Sequence, residues 1–160
     1  MNAKLKVVPL TLARGNEIVA QWHRHNKPCR GHRFTLGAEY QGEIVGAAII
    51  GRPVARMLDT STTAEVNRLC VSPSAPPNTC SFLYGAARRV WFTMGGKRMI
   101  TYTLTSESGS SLRGAGWTPN ALKPTTRKGC LSRDRAHQPV YDQLKIRWET
   151  VCEDRKEAQP

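Results

Sequence analysis

The sequence predicts a single α/β domain in which a mixed sheet is flanked by helices. Runs that alternate apolar and polar residues, or are apolar throughout, recur between segments of helical period. Gly, Pro and Asn punctuate the junctions. The 160 residues suffice for one sizeable core and not comfortably for two, so residues 1–152 read as one domain and 153–160 as a charged tail.

Lys4 to Leu10 alternates and reads as an edge strand, and Thr11 is placed to cap a helix with Leu12, Gly15, Val19 and Trp22 on one face. A basic, turn-rich loop from Asn26 to Arg33 precedes two strands, Phe34 to Tyr40 and Glu43 to Ile50, joined by Gln41-Gly42 as a hairpin. The second of these is apolar on both faces, which predicts a central position in a sheet covered on both sides. Ala64 to Val71 alternates again, and Pro73, Pro76 and Pro77 close that strand in a tight loop.

A helix is expected from Asn78 or Thr79, with Phe82, Ala86, Val90 and Met94 four apart beside Leu83, Ala87 and Trp91, ending at Gly95-Gly96. Asn78 reads as its cap. Then come a strand from Arg98 to Leu104, a short helix from Ser108 to Ala115, an irregular basic stretch from Thr118 to Pro139, and a last strand between Val140 and Val151. In such a mixed fold the ligand crevice opens where neighbouring parallel strands part beside a strand-to-helix turn, and Val71 to Asn78 is the candidate turn.

Composition narrows the partners. Twenty-four Lys and Arg against twelve Asp and Glu leave a formal charge of +12, the balance expected of a protein that meets a polyanion such as DNA, or of a generally basic surface. The longest apolar run, Ile44 to Ile50, is too short to span a bilayer and no apolar signal core opens the chain, so a cytoplasmic protein without a membrane partner is expected. The five cysteines, Cys29, Cys70, Cys80, Cys130 and Cys152, are odd in number and widely spaced, which fits reduced thiols. His23, His25, Cys29 and His32 do not follow a standard zinc spacing, and no metal is expected.

Three segments, Glu65 to Pro73 (EVNRLCVSP), Asn78 to Leu83 (NTCSFL) and Gly109 to Trp117 (GSSLRGAGW), resemble the GNAT N-acetyltransferase superfamily. That resemblance implies an acyl-CoA donor, acetyl-CoA or another, held by backbone amides around Leu69, Cys70, Val71, Asn78, Thr79, Cys80 and Ser81. The chain departs from the superfamily pattern in two places: Pro76 and Pro77 stand where an Arg and a Gly are usual, and Leu112 stands where a tyrosine acid is usual. Trp22 to Pro28 (WHRHNKP), Glu65 to Leu69 and Asn78 to Leu83 are further similar to the Mom-like DNA-modification proteins of bacteriophages, a divergent branch of that superfamily. This second resemblance implies a nucleobase amine as acceptor.

Acyl transfer to an amine needs a base, donors for the developing oxyanion and an acid for the departing thiolate. Glu65 is the first candidate base, and a structural partner of Arg68 is its alternative reading. His23 and His25 could serve as bases or cap the first helix. Tyr102, Tyr84 or Ser81 could replace the missing acid, with helix-surface or packing roles as alternatives. Trp22, Arg24, Lys27, Arg30, Arg33, Arg68, Ser106 and Arg113 are the candidate substrate or nucleic-acid contacts, joined by a second basic segment from Lys123 to Arg135. A catalytically silent nucleic-acid-binding module, or a small inhibitory protein, on the same scaffold is the alternative function.

Overall fold

The computed structural model describes residues 3–23, 27–55, 57–120 and 145–153. Its elements are β1 (Lys6–Leu10), α1 (Leu12–Trp22), β2 (Phe34–Tyr40), β3 (Glu43–Gly51), β4 (Thr63–Val71), α2 (Thr79–Thr93), β5 (Arg98–Leu104), α3 (Ser110–Gly114), β6 (Thr118–Pro119) and β7 (Lys145–Val151). The seven strands form one sheet in the order β1-β2-β3-β4-β5-β7-β6, with β4 and β5 parallel and the other pairs antiparallel. Helix α1 packs on one face of β2, β3 and β4, whereas α2 covers the other face from β2 to β5. The expected single-domain mixed sheet flanked by helices is what the chain forms.

Local chemistry accounts for the turns. Gln41 (φ 53°) and Gly42 (φ 84°) both take positive φ, the conformation of the two-residue turn that matches strand twist. Thr11 accepts a hydrogen bond from Arg14 N at 3.1 Å and so caps α1 as expected. Gly15 lets that helix approach the sheet closely, since a Cβ there would lie 2.7 Å from Thr35 Cγ2. Asn16 then fastens the following loop to α1, accepting from Cys29 N and donating to Cys29 O, both at 2.9 Å.

Two buried clusters lie on opposite faces of the sheet. Ile18 and Val19 pack with Ala47, Ile49 and Cys70 on the α1 side. Leu83, Ala86, Ala87 and Trp91 of α2 pack with Val66, Met99, Leu112, Trp117 and Trp148 on the other. Met94 is 59% exposed, so the apolar stripe of α2 is narrower than its spacing suggests and ends at Trp91. The short helix α3 is trimmed to Ser110–Gly114 because Gly109, at φ 67°, begins it. Thr118 and Pro119 are not irregular; they pair with β7 and extend the sheet edge. The last strand is seen from Lys145, and Val140 to Leu144, the second basic segment and the tail after Glu153 lie outside the described residues.

Trp91 is fixed by three contacts. Its Nε1 donates to Arg98 O at 2.8 Å, the Arg33 guanidinium lies 4.7 Å from its ring centroid, and a Cβ at Gly96 would fall inside its indole ring. Gly96→Ala must therefore displace a pinned side chain or the backbone. The expected loss is about 1–3 kcal/mol of stability, read as a lower urea midpoint with unchanged m-value. A variant as stable as the parent would show that this corner of the core yields freely.

Candidate active site

Parallel pairing between β4 and β5 is confined to Thr63–Arg98, Ala64–Met99 and Glu65–Ile100. Beyond these the strands part. The cause lies on the other edge of β4, where Arg68 pairs with Ile49 and Val66 with Ile50, leaving Asn67 as an extra residue without a partner. Such a bulge bends its strand. Thr101 Oγ1 donates to Val66 O at 3.1 Å and satisfies a carbonyl that the parted strand β5 no longer reaches with its backbone.

The gap holds a cavity of about 360 Å³. Asn67, Arg68 and Leu69 line it from β4, Thr101, Tyr102 and Thr103 from β5, Cys80 and Tyr84 from α2, Glu107 to Leu112 from the turn and helix after β5, and His23 from the end of α1. A second cavity of about 280 Å³ lies at the N-terminus of α2, between Val71 to Ser81 and the small residues Ser110, Ser111 and Gly114. Cys80, Ser110 and Ser111 border both, so the two adjoin at these residues along one groove.

The α2 end of this groove is a donor of hydrogen bonds. Asn78 sits at φ 68° and its side chain makes no cap hydrogen bond, so its expected capping role is overturned. Left-handed backbone at Asn78 turns the chain sharply into the helix, and the side chain is thereby directed away from the amides it would cap. The first N–H groups of an α-helix have no acceptor within the helix, and here these belong to Thr79, Cys80 and Ser81. Around them the hydroxyls face elsewhere: Thr79 Oγ1 donates to Pro76 O at 2.6 Å and Ser81 Oγ to Ser111 O at 2.9 Å.

Tyr84 forms the floor of the larger cavity. It is not on the helix surface, because it meets Trp117 edge to face with centroids 5.6 Å apart and bonds the Thr101 side chain. Burial first, and then the charges of Cys80 and Glu107, raise its pKa well above the ordinary tyrosine value, so the phenol keeps its proton at neutral pH. Cys80 is also raised, by burial, with a side-chain hydrogen bond from Ser111 opposing the shift. Glu107 accepts from Leu104 N at 2.8 Å through Oε2.

The other sequence candidates divide sharply. His23, Arg68, Leu69, Tyr102 and Cys80 border the larger cavity, and Val71, Asn78, Thr79, Cys80 and Ser81 the smaller. Glu65 does not border either. It is 7% exposed and accepts from Val54 N at 2.9 Å, at the end of β4 that is still paired. The Cys70 thiol faces the α1 cluster, away from the groove, because alternation along β4 directs it to the opposite side from Leu69 and Val71. Trp22 packs against that same cluster.

Arg33 belongs to the fold, since besides covering Trp91 it donates to Thr60 O and Thr63 O, at the far end of the sheet from the groove. Arg113 is held by Ser108 O and lies 4.9 Å from the Trp148 ring centroid. Both are drawn in by a nearby indole face, a contact that no local sequence pattern announces. Ser106, Lys27 and Arg30 are exposed, and Lys27 contributes its carbonyl to Arg68 at 3.3 Å. Arg24 and His25 lie outside the described residues. Among the described residues no group of three His, Cys, Asp or Glu is placed to hold a metal ion, and no helix is long and apolar enough to cross a membrane.

A mixed sheet parted between its central parallel strands, with a helix N-terminus at the mouth, is the architecture of the GNAT-family N-acetyltransferases, and the chain has that fold. Similar solved structures include the ribosomal-protein-S18-alanine N-acetyltransferase of Escherichia coli, 12% identical with a TM-score of 0.64 over 98% of this chain and 99% of that one. A Bacillus subtilis acetyltransferase in complex with CoA is 13% identical with a TM-score of 0.60 over 95% of this chain and 100% of that one. A GNAT-family acetyltransferase from Streptococcus pneumoniae is 11% identical with a TM-score of 0.63 over 94% and 100%. No protein-family model and no curated protein matches the sequence.

Sequence reasoning passed over Asn67, Thr101, Thr103 and Glu107. The signal for Asn67 was the adjacent polar pair Asn67-Arg68, which breaks the alternation of β4; the others needed the parting of the strands to become visible. Cys70 offers a direct check on the orientation of β4. Burial raises its pKa to about 11, so the thiolate fraction at pH 8 is about one in a thousand. Iodoacetamide should label Cys70 only after denaturation, as read by peptide mass analysis; rapid labelling of the folded protein would contradict its placement.

Proposed function

We propose that this protein is an acyl-CoA-dependent N-acyltransferase whose donor lies in the groove from the α2 N-terminus to Tyr84. The observation that carries this reading is that the two cavities adjoin at Cys80, Ser110 and Ser111. One end presents helix amides suited to a pyrophosphate. The other is partly apolar and lined by a protonated phenol. The bound donor supplies an acyl group activated as a thioester.

The residues present fit such a donor in a modified way. Pro76 and Pro77 lack N–H groups, so the anion-binding donors are the helix amides of Thr79, Cys80 and Ser81 in place of loop amides. Their small side chains, with Ser110, Ser111 and Gly114 opposite, leave room for close approach. Leu69 and Val71 flank the path along β4. Tyr84 takes the part of the missing tyrosine on α3: it borders the cavity, its phenol is protonated, and it can donate to a departing sulfur. For removal of the acceptor's proton, His23 and Glu107 border the cavity and are better placed than Glu65. Tyr102 remains a candidate for orienting the acceptor from the opposite wall.

A nucleobase acceptor in phage-type DNA modification is the second reading. It is favoured by the +12 charge and by the Mom-like resemblance of Trp22 to Pro28. A binding module without catalysis would share the charge and would not use Tyr84.

CoA and acetyl-CoA, each at roughly a hundred times Kd, should raise the melting temperature by about 5 °C or more. No shift at millimolar ligand would defeat the acyltransferase reading. Tyr84→Phe should keep that shift and lose about 100-fold or more in turnover. Unchanged turnover in the variant would remove Tyr84 from the chemistry. Mass analysis of nucleosides from expressing cells tests the nucleobase reading: an adduct supports it, and unmodified nucleosides alongside acylation of small amines count against it.

A further inference from the structure

The groove has two faces, and they differ in charge. Thr101 and Thr103 point toward α2, as their bonds to Tyr84 and to Trp148 Nε1 require. Strand alternation therefore sends Tyr102 to the α1 side. Arg68 lies on that side as well, since its guanidinium reaches Lys27 O at 3.3 Å and acts electrostatically on Cys29, which packs with the α1 cluster. His23, at the end of α1, completes this wall. The donor's phosphate end is on the α2 side, in the cavity that Arg68 does not border. The α1 side is thus where an acceptor enters.

Arg68 brings a positive charge to that entrance. Its Nη1 donates to Asn67 O at 2.7 Å and its Nη2 to Lys27 O, both neutral carbonyls. Its Nε is buried without an acceptor. The ion pairs among the described residues are Arg14–Glu17 and Arg98–Glu149. Glu65 acts on Cys29 from the same neighbourhood, with the opposite sign to Arg68. A half-buried guanidinium held by neutral groups in a cavity wall is open to an anion, and its planar fork suits two-point binding of a carboxylate or phosphate. Glu107 stands on the α2 side of the same cavity, with Oε2 engaged by Leu104 N, and it acts on Tyr84. The cavity thus carries a cation on one wall and an anion on the other.

We infer that the acceptor is a small amine carrying an oxyanion, carboxylate or phosphate, which pairs with Arg68 while its nitrogen faces Glu107 and the thioester. The nitrogen forms the new bond to the acyl carbon, the carbon–sulfur bond breaks, and the proton lost by nitrogen balances the one gained by CoA thiolate. This assignment rests on the acyltransferase reading above and adds the acceptor's chemistry to it. It makes Arg68 a specificity-determining residue.

The full-length protein is assayed with acetyl-CoA against matched pairs: α-amino acids and their carboxamides, aminoalkyl phosphates and the corresponding amino alcohols, with a duplex oligonucleotide as a polymeric phosphate. CoA release is quantified by chromatography. The anionic member of at least one pair should be favoured about 10- to 100-fold in kcat/KM, and the pair that shows it identifies the oxyanion. Arg68→Gln should erase the preference by raising KM with kcat little changed, whereas Arg68→Lys should retain part of it. The CoA-induced thermal shift of Arg68→Gln should match the parent, which shows that the variant folds and binds the donor.

Equal or better use of the neutral members overturns the inference. So does an Arg68→Gln loss that falls equally on kcat for both members, which would assign Arg68 to the reaction's own oxyanion or to structure. Turnover of the oligonucleotide alone, or CoA binding with no anionic amine acylated, also overturns it. Absence of a CoA shift in the parent protein instead defeats the reading beneath it.

Discussion

The parting of β4 from β5 is the constraint on which the functional part of this structure depends. Two parallel strands that begin in register at Thr63 and Arg98 separate after Glu65 and Ile100 because β4 carries one residue too many, Asn67, on its other edge. A gap in the middle of a sheet exposes backbone groups that would normally be paired. The chain limits that cost. β4 keeps its ladder with β3 as far as Val71, β5 keeps its ladder with β7 along its whole length, and Thr101 supplies the hydroxyl that Val66 O accepts. The opening is therefore held from outside by intact pairing on both flanks.

The groove inherits its asymmetry from that arrangement. On one face the parted strands meet the start of α2, where small side chains and unpaired amides suit a phosphate. On the other face they meet the end of α1 and Arg68. Since alternation along a strand sends successive residues to opposite faces, neighbours in the sequence serve different tasks: Leu69 lines the cavity while Cys70 is sealed beneath α1, and Thr101 holds Tyr84 while Tyr102 looks toward the other wall. A donor and an acceptor approaching from opposite faces would meet only where the strands are apart.

The two ends of the groove have a common physical character. Prolines in the loop before α2 remove loop donors, and the helix amides behind Asn78 are the remaining ones. Leu112 in α3 is buried in the core, and Tyr84 of α2 borders the larger cavity. Two of the arginines read from the sequence as candidate contacts are used in other ways: Arg33 covers Trp91 and Arg113 lies over Trp148. Arg68 differs in having only neutral carbonyls for partners.

Apart from β6, the sequence by itself determined the elements and their order, because periodicity and turn chemistry act locally: the Gln41-Gly42 turn, the Thr11 cap, the strand at Arg98 to Leu104 and the helix after Asn78 all stand where residue spacing puts them. It also marked the β4-to-α2 turn as the mouth of a crevice. Only the tertiary structure decided which side chains face that crevice. The bulge at Asn67 depends on pairing with β3, the burial of Tyr84 depends on Trp117 and Thr101, and the withdrawal of Glu65 depends on Val54, all partners distant in the chain. Asn78 failed as a cap for a nearer reason, its left-handed backbone, which residue type permits but does not compel. Local rules act within a few residues, whereas a site is assembled from contacts between elements, and those are set by how the sheet pairs.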